Sequence, residues 1–132
     1  MSEKPLVAIV DDDESHRRAT QSLLRAAGFS TAVFADAESF LRSAIRASAA
    51  CLVTDMRMPG MSGLDLYQAL AASGDGIPTI LITAYANEHT RLRARNAGIK
   101  CFLSKPFAPD DLLECIQEAL AQPRPAKPIP RS

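Results

Sequence analysis

Five short apolar runs alternate with five segments of helical periodicity, and nothing else in this sequence restricts its fold as strongly. The runs are Leu6–Val10, Thr31–Phe34, Cys51–Thr54, Pro78–Thr83 and Cys101–Ser104. They are rich in β-branched and apolar residues, and nearly continuous rather than alternating. Such strands are expected to be covered on both faces. The first helical segment, Glu14 to Ala27, places Ala19, Leu23, Leu24 and Ala27 on one face and stops at Gly28. Asp36 is positioned to cap a second helix carrying Phe40, Leu41, Ala44 and Ile45. The third is Leu64–Ala72, and the fourth runs from Asn87 to Ala97 before Gly98. The last, Asp110–Ala121, turns Leu112, Leu113, Ile116 and Leu120 inward. Strand–helix alternation of this kind predicts an α/β domain: a parallel sheet, right-handed crossovers and helices on both sides.

The 132 residues suit one such domain, expected over residues 1–121. Residues 122–132 hold four of the nine prolines and are expected to form an extended linker or tail, such as would lead into a further domain. Fifteen basic and fifteen acidic residues cancel, so the segment has no basic excess for direct nucleic-acid binding. No stretch has the length of a membrane span, and the short run before Asp11 is not a signal peptide. A cytoplasmic location is expected. Cys51, Cys101 and Cys115 form no CxxC pair and are odd in number. They are expected to be small buried hydrophobes in a reducing compartment rather than disulfide partners or metal ligands. His16 and His89 lie far apart and are expected to be surface polar residues.

The chemistry sits where the apolar runs end. Asp11 and Asp12 follow the first run, Asp55 the third, Thr83 closes the fourth and Lys105 follows the fifth. In a parallel sheet all those ends share one edge, where open α/β sheets keep their ligands. Any one of these residues alone reads as a helix cap, a strand threonine or a surface lysine. Together they predict a cluster. Three carboxylates at close range repel unless a cation joins them, and oxygen-only ligands favour Mg²⁺ (or Mn²⁺). Asp55 is then placed to attack phosphorus and become an aspartyl phosphate. Lys105 would supply positive charge to the phosphoryl oxygens and Thr83 a hydroxyl donor.

Four stretches carry a resemblance to a known family: Ile9-Val10-Asp11-Asp12-Asp13, Asp55-Met56-Arg57-Met58-Pro59-Gly60-Met61-Ser62-Gly63, Ile82-Thr83-Ala84 and Lys105-Pro106-Phe107. The chain resembles the receiver domains of two-component response regulators (CheY-like), and most of all those of LuxR/FixJ-type regulators. The resemblance implies a (βα)5 flavodoxin-like, doubly wound sheet of strand order 2-1-3-4-5. It makes Asp55 the phosphoacceptor and Asp11, Asp12 and Asp55 the metal ligands, joined by the backbone carbonyl of Arg57. Thr83 and Lys105 match the switch and phosphate-contact positions, and Phe102 the aromatic switch residue. The Lys105–Pro106 bond is expected to be cis. Arg57 and Tyr85 are expected to border the site and tune the phosphate's lifetime.

The implied function is a phosphorylation switch rather than a metabolic enzyme. A sensor histidine kinase donates the phosphoryl group, the domain catalyses its own phosphorylation and hydrolysis, and an output responds. That output is expected to be a C-terminal DNA-binding domain regulating transcription, with a stand-alone receiver as the alternative. Homodimerisation is expected through the fourth helix, fifth strand and fifth helix. Arg91, Arg93 and Arg95 make the fourth helix polar, as suits a loosely packed moving element. A haloacid-dehalogenase-type phosphatase shares the aspartyl phosphate but wants a second Asp two residues after the nucleophile. Arg57 stands there, against that reading.

Overall fold

The computed structural model describes residues 4–121, so the linker expected over 122–132 lies outside the described residues. Five parallel strands form one sheet: β1 (Leu6–Val10), β2 (Ser30–Phe34), β3 (Cys51–Asp55), β4 (Thr79–Thr83) and β5 (Cys101–Ser104), in the order β2-β1-β3-β4-β5. Five α-helices connect and flank them: α1 (Glu14–Ala26), α2 (Ala37–Arg42), α3 (Gly63–Ala72), α4 (Glu88–Ala97) and α5 (Pro109–Ala121). The order matches the expected flavodoxin-like arrangement.

The strand sequences explain the two layers. Val7, Ile9, Cys51, Val53, Ile80 and Ile82 project to one face, where Leu24 of α1 and Leu112 and Ile116 of α5 cover them. Ala8, Val10 and Leu52 project to the other, against Ala37 and Phe40 of α2 and Leu66 and Leu70 of α3. Met56, Leu64, Leu81, Ala94 and Ile99 form a third cluster where α4 meets the sheet. Each buried Val, Leu, Ile, Met or Phe among them contributes about 1.5–3 kcal/mol by leaving water. The three inner strands need apolar residues on both faces for this reason, while β2 and β5 are edges and only half-buried.

Helix ends follow local chemistry. Asp13, Asp36, Ser62 and Asn87 accept from backbone N–H groups at the N-termini of α1, α2, α3 and α4. Gly98 ends α4 at φ 109°, and a Cβ there would come 2.6 Å from the Tyr67 hydroxyl.

Three expectations change. The second helix does not run through Ala44 and Ile45: it ends at Arg42, and Ala44–Ala47 form a separate 3₁₀ turn. Ser43 is extended there, and its side chain accepts from the Ile45 N–H, which starts the new turn. Ala19 and Ala27 of the first helical segment are exposed, so its inward stripe is carried by the larger Leu23 and Leu24. Cys101 and Cys115 are not independent buried thiols but are joined by a disulfide. Cys101 opens β5 and Cys115 lies on the α5 face packed against it, which brings their Cα atoms to 6.2 Å, within bridging range. Spacing in sequence carries no trace of that approach. Cys51 behaves as expected: it is buried and free.

Candidate functional site

Strand register assembles the site. Val10 pairs with Thr54, so the residues that follow and end these strands, Asp11 and Asp55, emerge side by side. Asp55 pairs with Ile82, and Thr83 with Ser104, which brings Lys105 out beside Thr83. Two backbone bonds hold the loops in that order: Met56 N–H to the Ile82 carbonyl at 2.7 Å, and Lys105 N–H to the Thr83 carbonyl at 2.8 Å. The Lys105–Pro106 peptide is cis, as expected.

Asp11, Asp12 and Asp55 each offer a carboxylate oxygen, all within 4.8 Å of one another. Lys105 Nζ lies 3.4 Å from Asp55 Oδ1. Burial pushes the Asp55 carboxyl above its ordinary value; the charge of Asp11 adds to this, and Lys105 opposes it. Asp11 is raised too, first by burial, with the Asp13 N–H working the other way. That N–H donates to Asp11 Oδ1 at 2.9 Å, and Arg17 holds the Asp11 carbonyl at 2.8 Å. Asp12 is exposed. An all-carboxylate set whose buried members are pushed toward protonation suits a hard divalent cation, whose charge reverses that push. The residues present therefore fit Mg²⁺ or Mn²⁺.

The other expected residues lie on β4, on β5 and in the loops that follow β3 and β4. Thr83 is 2% exposed, and its hydroxyl oxygen accepts from the Tyr85 N–H at 3.1 Å. Phe102 packs against the third hydrophobic cluster, with the Arg91 guanidinium 5.2 Å from its ring centre. Arg57 and Tyr85 face one another, the guanidinium 5.0 Å from the tyrosine ring centre. They line a cleft of about 660 Å³ together with Thr83 and Met56. Both therefore line the cleft that Thr83 also reaches. α4 buries only Ala94 and leaves Leu92 exposed, as its polar composition implies.

Two residues of the site escaped the sequence reading. His16 is exposed, but its Nδ1 lies 2.9 Å from Lys105 Nζ. An ammonium can only donate, so Nδ1 is the acceptor of this contact. The two residues are 89 positions apart, and no local signal links them. Gly63 is the other. It starts α3, and its N–H donates to the Met56 carbonyl at 3.0 Å. A Cβ there would run into the carbonyl oxygen of Asp55 and come 2.9 Å from Leu81 Cδ1. The glycine is part of the motif, yet the need for it is steric and visible only in three dimensions.

Comparison with known proteins agrees with this geometry. A family model described as "Response regulator receiver domain" matches residues 7–117. Nodulation protein W of Bradyrhizobium diazoefficiens is 37% identical over 131 residues, covering 99% of this chain and 58% of that protein. Transcriptional regulatory protein FixJ of the same organism is 34% identical over 126 residues, covering 96% of this chain and 62% of its own. Among solved structures, the response regulator StyR superposes with a TM-score of 0.82 at 45% identity, covering 90% of this chain and 60% of that one. The chain thus spans roughly three-fifths of the length of these relatives.

Proposed function

The chain belongs to the response regulator receiver domain family, and on that premise we propose that Asp55 is the phosphoacceptor of a two-component signalling switch. The observation that carries this reading is the Lys105 ammonium 3.4 Å from Asp55 Oδ1, inside a cluster of three carboxylates. Members of the family are signalling modules rather than classical enzymes.

Asp11, Asp12 and Asp55 would hold Mg²⁺ or Mn²⁺, with the Arg57 backbone carbonyl as a further ligand. When bound, the ion supplies positive charge to the phosphoryl oxygens. A carboxylate oxygen of Asp55 attacks the phosphorus of a phosphohistidine on a sensor histidine kinase. The P–O bond forms, the P–N bond breaks with its electron pair going to nitrogen, and the departing imidazole takes up a proton from solvent. Lys105 pairs with one phosphoryl oxygen, and His16 holds its ammonium in place. Thr83 donates its hydroxyl to another phosphoryl oxygen. That hydroxyl now accepts from the Tyr85 N–H, so its reorientation pulls on the β4–α4 loop. Phe102 then changes rotamer into the space released, and Arg91 must follow or lose its ring contact. Such a coupling shifts a two-state equilibrium rather than creating a new state.

Arg57 and Tyr85 shape the cleft through which water reaches the phosphoryl group, and so tune its lifetime. The face formed by α4, β5 and α5 mediates homodimerisation or output contact. Residues 1–121 act as the receiver, in the cytoplasm, and 122–132 as a linker to a transcriptional output domain. The FixJ relative, a named transcriptional regulator, supports that output. Incubation with acetyl phosphate and Mg²⁺, followed by intact-mass and peptide mapping, tests the reading. One phosphoryl group is expected on Asp55 and none on Asp55→Asn. Incorporation elsewhere, or equal incorporation in the variant, refutes it.

A further inference from the structure

A second cavity lies at the opposite edge of the sheet, where β4 and β5 begin. It measures about 460 Å³, and its walls include Tyr67, Ile77, Lys100, Cys101, Cys115 and Glu118. Both bonded cysteines are therefore half-buried residues lining a space that a small solute can enter. The third cysteine is the reverse case. Cys51 is fully buried, and burial pushes its thiol up to about 12.

The bond ties α5 to β5 across 14 residues of sequence, yet α5 does not depend on it for docking. Leu112 and Ile116 are completely buried against the sheet, and Leu113, Ala119 and Leu120 pack around them. Opening the bond therefore leaves a folded domain with two thiols still held near one another. A pair held in this way can close again by intramolecular attack on a mixed disulfide. Cys101 also directly precedes Phe102, so the bond acts on the strand that carries the aromatic residue of the switch.

We propose that Cys101 and Cys115 form a reversible redox site, closed and opened by thiol–disulfide exchange with a low-molecular-weight thiol that enters this cavity. The redox state then sets how firmly α5 is held to β5. In the closing direction one protein thiolate attacks a sulfur of the small disulfide. A mixed disulfide forms and the first small thiolate leaves. The second protein thiolate attacks the mixed disulfide at the protein sulfur, which forms the Cys101–Cys115 bond and releases the second small thiolate. The two protons lost by the protein thiols end on the two small thiols, so the small disulfide is reduced as the protein pair is oxidised. Lys100 and Glu118 give the cavity wall one charge of each sign, which suits a zwitterionic thiol peptide.

The test uses the full chain, without phosphodonor, so its outcome is separate from that of the phosphorylation reading. The protein is equilibrated across glutathione/glutathione disulfide ratios, then alkylated and mapped by mass spectrometry. Two of the three cysteines should change together and reversibly, with Cys51 unalkylated in the folded protein throughout. The oxidised form should melt about 5–10 °C higher, and α5 amides should exchange about tenfold more slowly. Cys115→Ser should instead take one glutathione on Cys101 and lose the rise in Tm. The proposal fails if the bond persists at every reducing ratio or never forms at oxidising ones. It also fails if the link forms between chains, if α5 exchange is the same in both states, or if Cys115→Ser keeps the rise.

Discussion

Replacing Asp55 by Asn should stabilise the metal-free domain while abolishing its proposed function. The Asp55 side chain is only 14% exposed. At an effective dielectric near 20, repulsion from Asp11, whose carboxylate lies within 4.8 Å, costs at least about 3.5 kcal/mol, and attraction to Lys105 at 3.4 Å returns about 5 kcal/mol. Asp12 is exposed and, in water-like surroundings, adds about 1 kcal/mol of repulsion. The charge terms nearly cancel, so the cost of removing the carboxylate from water decides the sign. Burial is also the leading cause of the raised Asp55 pKa. An isosteric amide avoids most of that cost, and a gain of about 1–2 kcal/mol follows, or roughly 4–8 °C in Tm for a domain of this size. Thermal melts followed by circular dichroism in EDTA measure it. Magnesium should then reverse the ranking. A ligand at tenfold its Kd adds about 1.4 kcal/mol to the parent, and much less to a variant lacking one carboxylate. A lower Tm for Asp55→Asn in EDTA, or equal stabilisation of both proteins by Mg²⁺, would refute the reasoning.

Four further predictions rest on the same geometry. Asp11 and Asp55 have folded pKa values raised above the ordinary 3.8, so their destabilising effect is full at neutral pH and disappears as pH falls through those values; the Tm advantage of Asp55→Asn should shrink to nothing below about pH 3.5. Asp13 and Asp36 are lowered by the N–H groups they cap, so their stabilising contributions have the opposite sign: present above 3.8 and lost in acid, which Asp36→Ala melts at pH 7 and pH 2.5 will show. Gly63→Ala should cost about 1–3 kcal/mol in urea unfolding and slow phosphorylation by displacing the Asp55 backbone. Arg57→Ala and Tyr85→Ala should change the dephosphorylation rate severalfold with little effect on urea midpoint, since both side chains are exposed; unchanged rates would remove them from the mechanism.

The sequence determined the sheet and its chemistry-bearing edge. Near-continuous apolar strands can be satisfied only between two helical layers, and a parallel sheet must deliver its strand ends to one edge. Asp11, Asp55, Thr83 and Lys105 therefore had to meet once five strands were recognised, and the family motif supplied the strand order. The start of β5 at Cys101 and the cap at Asp36 were equally legible, because local chemistry sets them.

Tertiary structure alone decided the rest. Ser43 breaks the second helix because a side chain–backbone bond outweighs an apolar pattern that would have continued. His16 reaches Lys105 because α1 starts beside the β5 exit, a contact between residues 89 positions apart. Gly63 is required by an atom of Asp55 that no spacing reveals. Cys101 and Cys115, expected to be separate thiols, are bonded because α5 packs one turn of its inner face over the first residue of β5. Periodicity records which face of an element is buried. It does not record which residue of the neighbouring element lies opposite, and that choice is made by packing distance.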